Sequence, residues 1–182
     1  METIQIQYYQ SICGKLILGS FEEKLCMCDW MNEERRAVID KRLQNTLHAK
    51  YEIGNSEIIT EAMAQLDEYF SRKRTTFDIP LAFIGTDFQK AMPFFEEQNQ
   101  KTEEESFNIP YGTTISYAKL SQRLNNPKAI RAVAAANGTN PISIFVPCHR
   151  VIGSNHKLTG YGGGLAAKKI LLELEAGIKY LL

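Results

Sequence analysis

The stretch SYAKLSQRLNNPKAIRAVAAANGTNPISIFVPCHRVIG, residues 116–153, decides how this chain is read. Ser116 is a candidate N-cap for a helix running to about Leu124, Asn125 and Asn126 make a turn, and Pro127 suits the first position of a second helix, KAIRAVAAAN. Two short helices joined by a tight turn are the pattern of a helix-turn-helix. In the second helix Ala129, Ala132, Ala134, Ala135 and Ala136 leave little bulk around one long cation, Arg131. Small residues let a helix approach a groove wall closely while an arginine enters the base stack. The same alanines would also let one helix pack tightly against another, and the helix pair alone does not choose.

Downstream, the apolar run ISIFV reads as a strand that leads into Pro147, Cys148 and His149, and LTGYGGG supplies four glycines, Gly160 and Gly162 to Gly164. Glycine-rich backbone turns sharply and brings N–H groups close to a flat ligand. A further helix from Leu165 to Glu175, ended by Gly177, places Lys168 and Glu175 two turns apart on roughly one side. A cysteine nucleophile needs its thiolate, a base to make it and a group to orient that base. Cys148, His149 and Glu175 are those three types. Neighbours on an extended strand point oppositely, so contact between Cys148 and His149 requires a turn or an intervening water.

The first half reads as scaffold. IQIQYY alternates, KLILGS follows the turn-like CGK, and LCMCDW follows EEK, which predicts three short strands in a meander within residues 4–30. Ile39, Leu43 and Leu47 mark one amphipathic helix; Ile59, Ala62, Met63, Leu66 and Phe70, after the cap Ser56, mark another. Cys26 and Cys28 form a lone C-x-C in a chain with three histidines, which reads as strand thiols rather than metal ligands, and His48 reads as a surface side chain near a helix end. Residues 71–90 form a connector with Pro80 and Gly85 and a helix start at Thr86 or Asp87; residues 93–106 are acidic and polar. The expected domains are 1–84, a scaffold, and 85–182, which carries the chemistry.

A chain of 182 residues with 44% hydrophobic content can bury an ordinary core. METIQIQYYQ lacks a basic region followed by an apolar one, and no apolar run approaches the roughly 20 residues of a membrane helix. With four cysteines and no disulfide-scaffold density, the expectation is a cytoplasmic protein with reduced thiols and no membrane association. Net charge is zero, yet residues 110–182 hold nine Lys or Arg against two acids, a net of +7 that leaves −7 for the rest. Such asymmetry fits a C-terminal part that meets a polyanion, and equally a solvated charged face.

The run from IPYGTTISY through NPKAIRAVAAANGTNPISIFVPCHRVIG to LTGYGGGLAAKK closely resembles the O6-alkylguanine-DNA alkyltransferases, the methylated-DNA–protein-cysteine methyltransferases. The resemblance covers residues 109–175 almost continuously, and FDIPL with GTDFQ extends it upstream. It implies an α/β (α+β) fold: an N-terminal three-stranded antiparallel sheet with helices, ribonuclease H-like, and a mainly helical, winged-helix-like C-terminal domain with a helix-turn-helix. By position it implies that Cys148 takes the alkyl group from O6 of guanine, or from O4 of thymine, and keeps it. His149 would deprotonate Cys148 through a water and Glu175 would orient His149. Tyr117 would crowd the phosphate beside the lesion and help protonate the departing guanine. Arg131 would replace the flipped nucleotide, with Ala132, Ala134 and Ala135 beside it against DNA. Asn140 would tie the helix-turn-helix to the active-site turn, Lys168 would lie near the pocket, and Pro147, Tyr161, Gly162 and Gly163 would shape it. Flipping is required because O6 is out of a thiol's reach while the base is stacked. A thioether has no good leaving group, so Cys148 acts once.

The implied partner is double-stranded DNA containing O6-alkylguanine, met in the minor groove by a monomer needing no cofactor and no metal, cytoplasmic and, in a bacterium, nucleoid-associated. Two features depart from the family pattern. KAMPFFEEQNQKTEEESF lengthens the approach to IPYG, and Gly162 stands where some relatives carry a serine. Two other classes use the same residues: a module that binds and flips alkylated bases without repairing them, and a cysteine hydrolase built on Cys148 and His149. Relatives of the first class lack the cysteine; the second needs an oxyanion hole and turnover on esters or peptides.

Overall fold

The computed structural model describes residues 2–86 and 109–177. The helix start proposed at Asp87, the acidic segment and GTDFQ beyond Thr86 lie outside the described residues, as does Lys179. The chain divides into two compact units, residues 1–84 with 141–145 and residues 85–140 with 146–182.

The first unit is an α/β layer. Strands β1 (Glu2–Ser11), β2 (Gly14–Phe21) and β3 (Lys24–Trp30) form the antiparallel meander, and helices α1 (Glu33–Leu47) and α2 (Glu57–Phe70) follow. The sheet has four strands rather than three. β4 (Ala49–Ile53) pairs in parallel with β1, giving the order β3-β2-β1-β4. A single residue, His48, links α1 to β4; it sits exposed in the left-handed region with its backbone N–H bonded to the Gln44 carbonyl, and that sharp stop turns the chain back along β1.

Five successive residues of β2, Leu16 to Ser20, are buried, the pattern of a strand covered on both faces. Helix α1 buries Ile39 and Leu43 over Ile4, Ile6 and Ile17. Helix α2, capped by Ser56 accepting from the Ile59 N–H, packs on β1, β2 and β3 through its buried face. Cys26 and Cys28 are fully buried core thiols. The connector is extended at Pro80, whose carbonyl accepts from the Leu25 N–H, and Leu81 bridges to Leu25 in parallel.

The run ISIFV is not a regular strand. Ile142 makes an isolated bridge to Cys28, and a tight turn follows, with the Phe145 N–H bonded to the Ser143 carbonyl and Ile144 at φ 75°. That turn is costly for a β-branched residue.

The second unit is mainly helical: α3 (Tyr117–Arg123), α4 (Ile130–Gly138) and α5 (Gly164–Ala176). Ser116 caps α3 through the Lys119 N–H. Pro127 does not open the second helix. It lies in a turn closed by the Ala129 N–H on the Asn126 carbonyl, where its fixed φ is equally suited, and α4 begins at Ile130. Two short parallel strands, β5 (Ile115–Ser116) and β6 (Val151–Ile152), tie the start of α3 to the residues just after Cys148.

Candidate active site

The site is built within the second unit, and the turn that carries Cys148 follows from Pro147. At φ −79° and ψ 50° the proline closes an inverse γ-turn, with the Cys148 N–H 2.8 Å from the Val146 carbonyl. The next three residues, Cys148–Arg150, form one 3-10 turn, which the Arg150 N–H closes on the Pro147 carbonyl at 3.0 Å. The turn that a Cys–His arrangement requires is therefore present, and all three side chains are buried in it.

His149 is fully buried, and its Nε2 lies 2.7 Å from Glu175 Oε1. Burial lowers the His149 pKa against the pull of Glu175, so the ring is neutral at neutral pH. A carboxylate only accepts, so the hydrogen sits on Nε2 and Nδ1 presents its lone pair; Nδ1 has no hydrogen-bond partner among the described residues. A neutral imidazole with one bare nitrogen is poised to take a proton.

Glu175 comes from the last turn of α5. Its Oε2 accepts from Arg150 Nε at 2.8 Å and from the Gly112 N–H at 3.3 Å, and its Oε1 accepts from Arg150 Nη2 at 3.0 Å as well as from His149. Burial alone would raise the Glu175 pKa, but His149 and the Arg150 guanidinium outweigh it and hold the carboxyl well below the usual carboxylate range. Arg150 is in turn held by the Ile109 carbonyl, 2.5 Å from Nη1. Gly112 sits at φ 73°, a backbone conformation that strains other residues, and a Cβ there would stand a tight 3.2 Å from the Glu175 carbonyl oxygen.

Lys168, one face-repeat earlier on α5, is fully buried and donates from Nζ to the carbonyls of Val151 at 2.6 Å and Thr159 at 2.7 Å. Burial pushes its pKa down to about 8, and negative charge on Cys148 pulls it back up. The positive charge of Lys168 would therefore favour a thiolate at Cys148.

Asn140 donates from Nδ2 to Cys148 Sγ at 3.1 Å and to the Val146 carbonyl at 3.3 Å, which fixes the sulfur on its turn. Tyr117 is nearly buried at the start of α3. Burial chiefly raises its pKa, with Cys148 adding and hydrogen bonds from Asn137 and Thr159 opposing, so the phenol keeps its proton. Tyr161 is half-buried with its ring edge-on to His149, centroids 6.4 Å apart. Gly162 and Gly163 are half-buried ahead of α5, but the left-handed backbone of this loop falls at Gly160 (φ 30°) and Gly164 (φ 81°) instead. Arg131, Ala132 and Ala135 form an exposed strip on α4, Ala134 is half-buried, and Val133, Ala136 and Asn137 face inward.

Asn140, Asn137 and Tyr117 are thus bonded around Cys148, and Glu175 and Arg150 around His149, the two sets meeting at the 3-10 turn; Lys168 is held against the carbonyls of Val151 and Thr159, and Arg131 stands on the exposed face of α4. Sequence reasoning missed Arg150, Gly112 and Asn137. Arg150 directly follows His149, and that adjacency was the one available signal. Among the described residues no group of three or more His, Cys, Asp or Glu side chains could hold a metal ion, and no helix is long and apolar enough to cross a membrane.

Comparison with known proteins gives a consistent answer. The family models for the 6-O-methylguanine DNA methyltransferase ribonuclease-like domain and DNA binding domain match residues 4–83 and 98–177. A curated methylated-DNA–protein-cysteine methyltransferase of Methanosarcina acetivorans is 40% identical over 92% of this chain and 95% of its own length. The constitutive enzyme of that name from Bacillus subtilis is 39% identical over 89% of each. Among solved structures, the O6-methylguanine methyltransferase of Mycobacterium tuberculosis matches with a TM-score of 0.72 at 35% identity, covering 96% of this chain and 93% of its own. A structure of the Mycobacterium tuberculosis protein in complex with DNA matches at 0.73 and 36%, with the same coverage.

Proposed function

This chain belongs to the methylated-DNA–protein-cysteine methyltransferase family, and on that premise we propose that it repairs alkylated DNA by moving the alkyl group from O6 of guanine onto its own Cys148. The observation that carries the assignment of the acceptor is the chain of contacts around the 3-10 turn: Cys148 fixed by Asn140, beside a neutral His149 whose other nitrogen is held by an ionised Glu175.

In this mechanism His149 Nδ1 takes the thiol proton through a water, and the charge formed on the imidazole is balanced by Glu175. Lys168 stabilises the thiolate by its positive charge. The sulfur attacks the alkyl carbon, the S–C bond forms as the C–O6 bond breaks, and the electron pair passes into the guanine ring. Tyr117 supplies a proton to the departing base and is reprotonated from solvent, so the proton lost by the thiol balances the one gained by guanine. The thioether has no route back, and each chain acts once.

The damaged nucleotide must leave the stack to reach a buried sulfur. The exposed strip of Arg131, Ala132 and Ala135 supports entry of α4 into the minor groove, with the guanidinium filling the space of the flipped base. We further propose that the protein acts as a monomer on duplex DNA, in the cytoplasm.

The test is to incubate the protein with duplex DNA containing O6-methylguanine and to quantify restored guanine by nucleoside analysis. Restoration should plateau at one equivalent per chain and vanish with Cys148→Ala, which should still bind the lesion. Restoration beyond one equivalent, or its persistence in Cys148→Ala, would refute the assignment.

A further inference from the structure

We infer that Asn137 is a positioning residue for the transfer: its amide fixes the Tyr117 hydroxyl relative to the Cys148 backbone and turns the Tyr117 proton away from the amide, toward the departing guanine. The inference rests on the reading of Cys148 as acceptor and Tyr117 as proton donor.

Asn137 sits near the end of α4 on its inner face and is 5% exposed. Its Nδ2 donates to Tyr117 Oη at 3.3 Å and to the Cys148 carbonyl at 3.2 Å, so both N–H groups are used. Its Oδ1 is buried with no hydrogen-bond partner among the described residues. The amide cannot be turned the other way, because that would set two acceptors, Oδ1 and the Cys148 carbonyl, against each other. A buried acceptor left unpaired destabilises the fold. Keeping the amide here has a cost, and what it secures is the link between the residue that attacks and the residue that assists departure.

The direction of the hydrogen bond carries the chemistry. Tyr117 Oη accepts from Asn137, so its own hydrogen must point away from the amide. A phenol oxygen that accepts a hydrogen bond is also a better acid, since the incipient phenolate is stabilised. Asn140 holds the sulfur, while Asn137 holds the backbone under it and also reaches the proton donor.

The experiment measures single-turnover methyl transfer from duplex O6-methylguanine for wild type, Asn137→Ala, Tyr117→Phe and the double variant, together with alkylation of Cys148 by iodoacetamide. Iodoacetamide carries its own leaving group and needs no proton from Tyr117. Asn137→Ala should slow methyl transfer by about tenfold or more, leave iodoacetamide alkylation close to wild type, and add little to the defect of Tyr117→Phe. Asn137→Ser, which keeps one donor, should recover part of the rate and serves alone should the alanine variant fail to fold. Unchanged methyl transfer, equal loss in both reactions, or full additivity with Tyr117→Phe would overturn the inference. Absence of methyl transfer in wild type would instead remove the reading on which it rests.

Discussion

Arg150 grips Glu175 through two hydrogen bonds, from Nε to Oε2 at 2.8 Å and from Nη2 to Oε1 at 3.0 Å, in a place where both side chains are almost fully buried. Such a pair is costly to bury and far costlier to break, because either partner alone is an uncompensated charge. Glu175→Gln should therefore destabilise the second unit by about 3–5 kcal/mol. It should also slow transfer, as His149 loses the charge that balances its imidazolium. Urea unfolding and single-turnover kinetics measure the two losses; a variant as stable as wild type would contradict the assigned role.

The same carboxylate gives acid sensitivity of known sign. The folded pKa of Glu175 lies below its unfolded value of about 4.3, so its contribution is complete above that pH and is lost as pH falls through the folded value. The stability gap between wild type and Glu175→Gln should thus be constant near neutrality and shrink below about pH 4. Thermal melts across that range test it, and a gap that widened on acidification would have the wrong sign.

Lys168 makes the opposite kind of pH claim. Its pKa is pushed down to about 8, so it carries the charge that favours the Cys148 thiolate below that pH and loses it above. Lys168→Met should slow iodoacetamide alkylation of Cys148 near neutral pH by about tenfold. The difference should narrow as pH rises past 8. Equal alkylation rates for the two proteins at every pH would dismiss this role.

Arg131 tests the outer face of α4. It is exposed on α4 and makes none of the hydrogen bonds described around Cys148, so Arg131→Ala should leave stability within about 0.5 kcal/mol and iodoacetamide alkylation untouched. If Arg131 fills the space of the flipped nucleotide as proposed, repair of O6-methylguanine in duplex DNA should fall by about tenfold or more. Normal duplex repair by this variant would remove Arg131 from the flipping step.

The parts of this site that were legible in the sequence are those where residue type and position coincide in one short stretch. Pro147, Cys148 and His149 stand together, Gly177 ends the helix that carries Lys168 and Glu175, and Ser116 marks the start of α3. Arg150, Gly112 and Asn137 were not legible, because each acts through a partner far along the chain: Glu175 for the first two and Tyr117 for the third. A polar residue satisfied by a distant partner looks, in sequence, like one satisfied by water. β4 was missed for a related reason. AKYEI is five residues long with Lys50 and Glu52 exposed, and what makes it a strand is its parallel pairing with β1, a tertiary fact. The turn at Ile144 could not be foreseen at all, since a β-branched residue in the left-handed region contradicts its local preference.

The most direct test of the central claim is intact-protein mass after incubation with excess duplex containing O6-methylguanine, followed by peptide mapping. The account predicts one added methyl group per chain, saturating at that value and located on Cys148. A methyl group on another residue, more than one per chain, or lesion binding with no change in mass would contradict it.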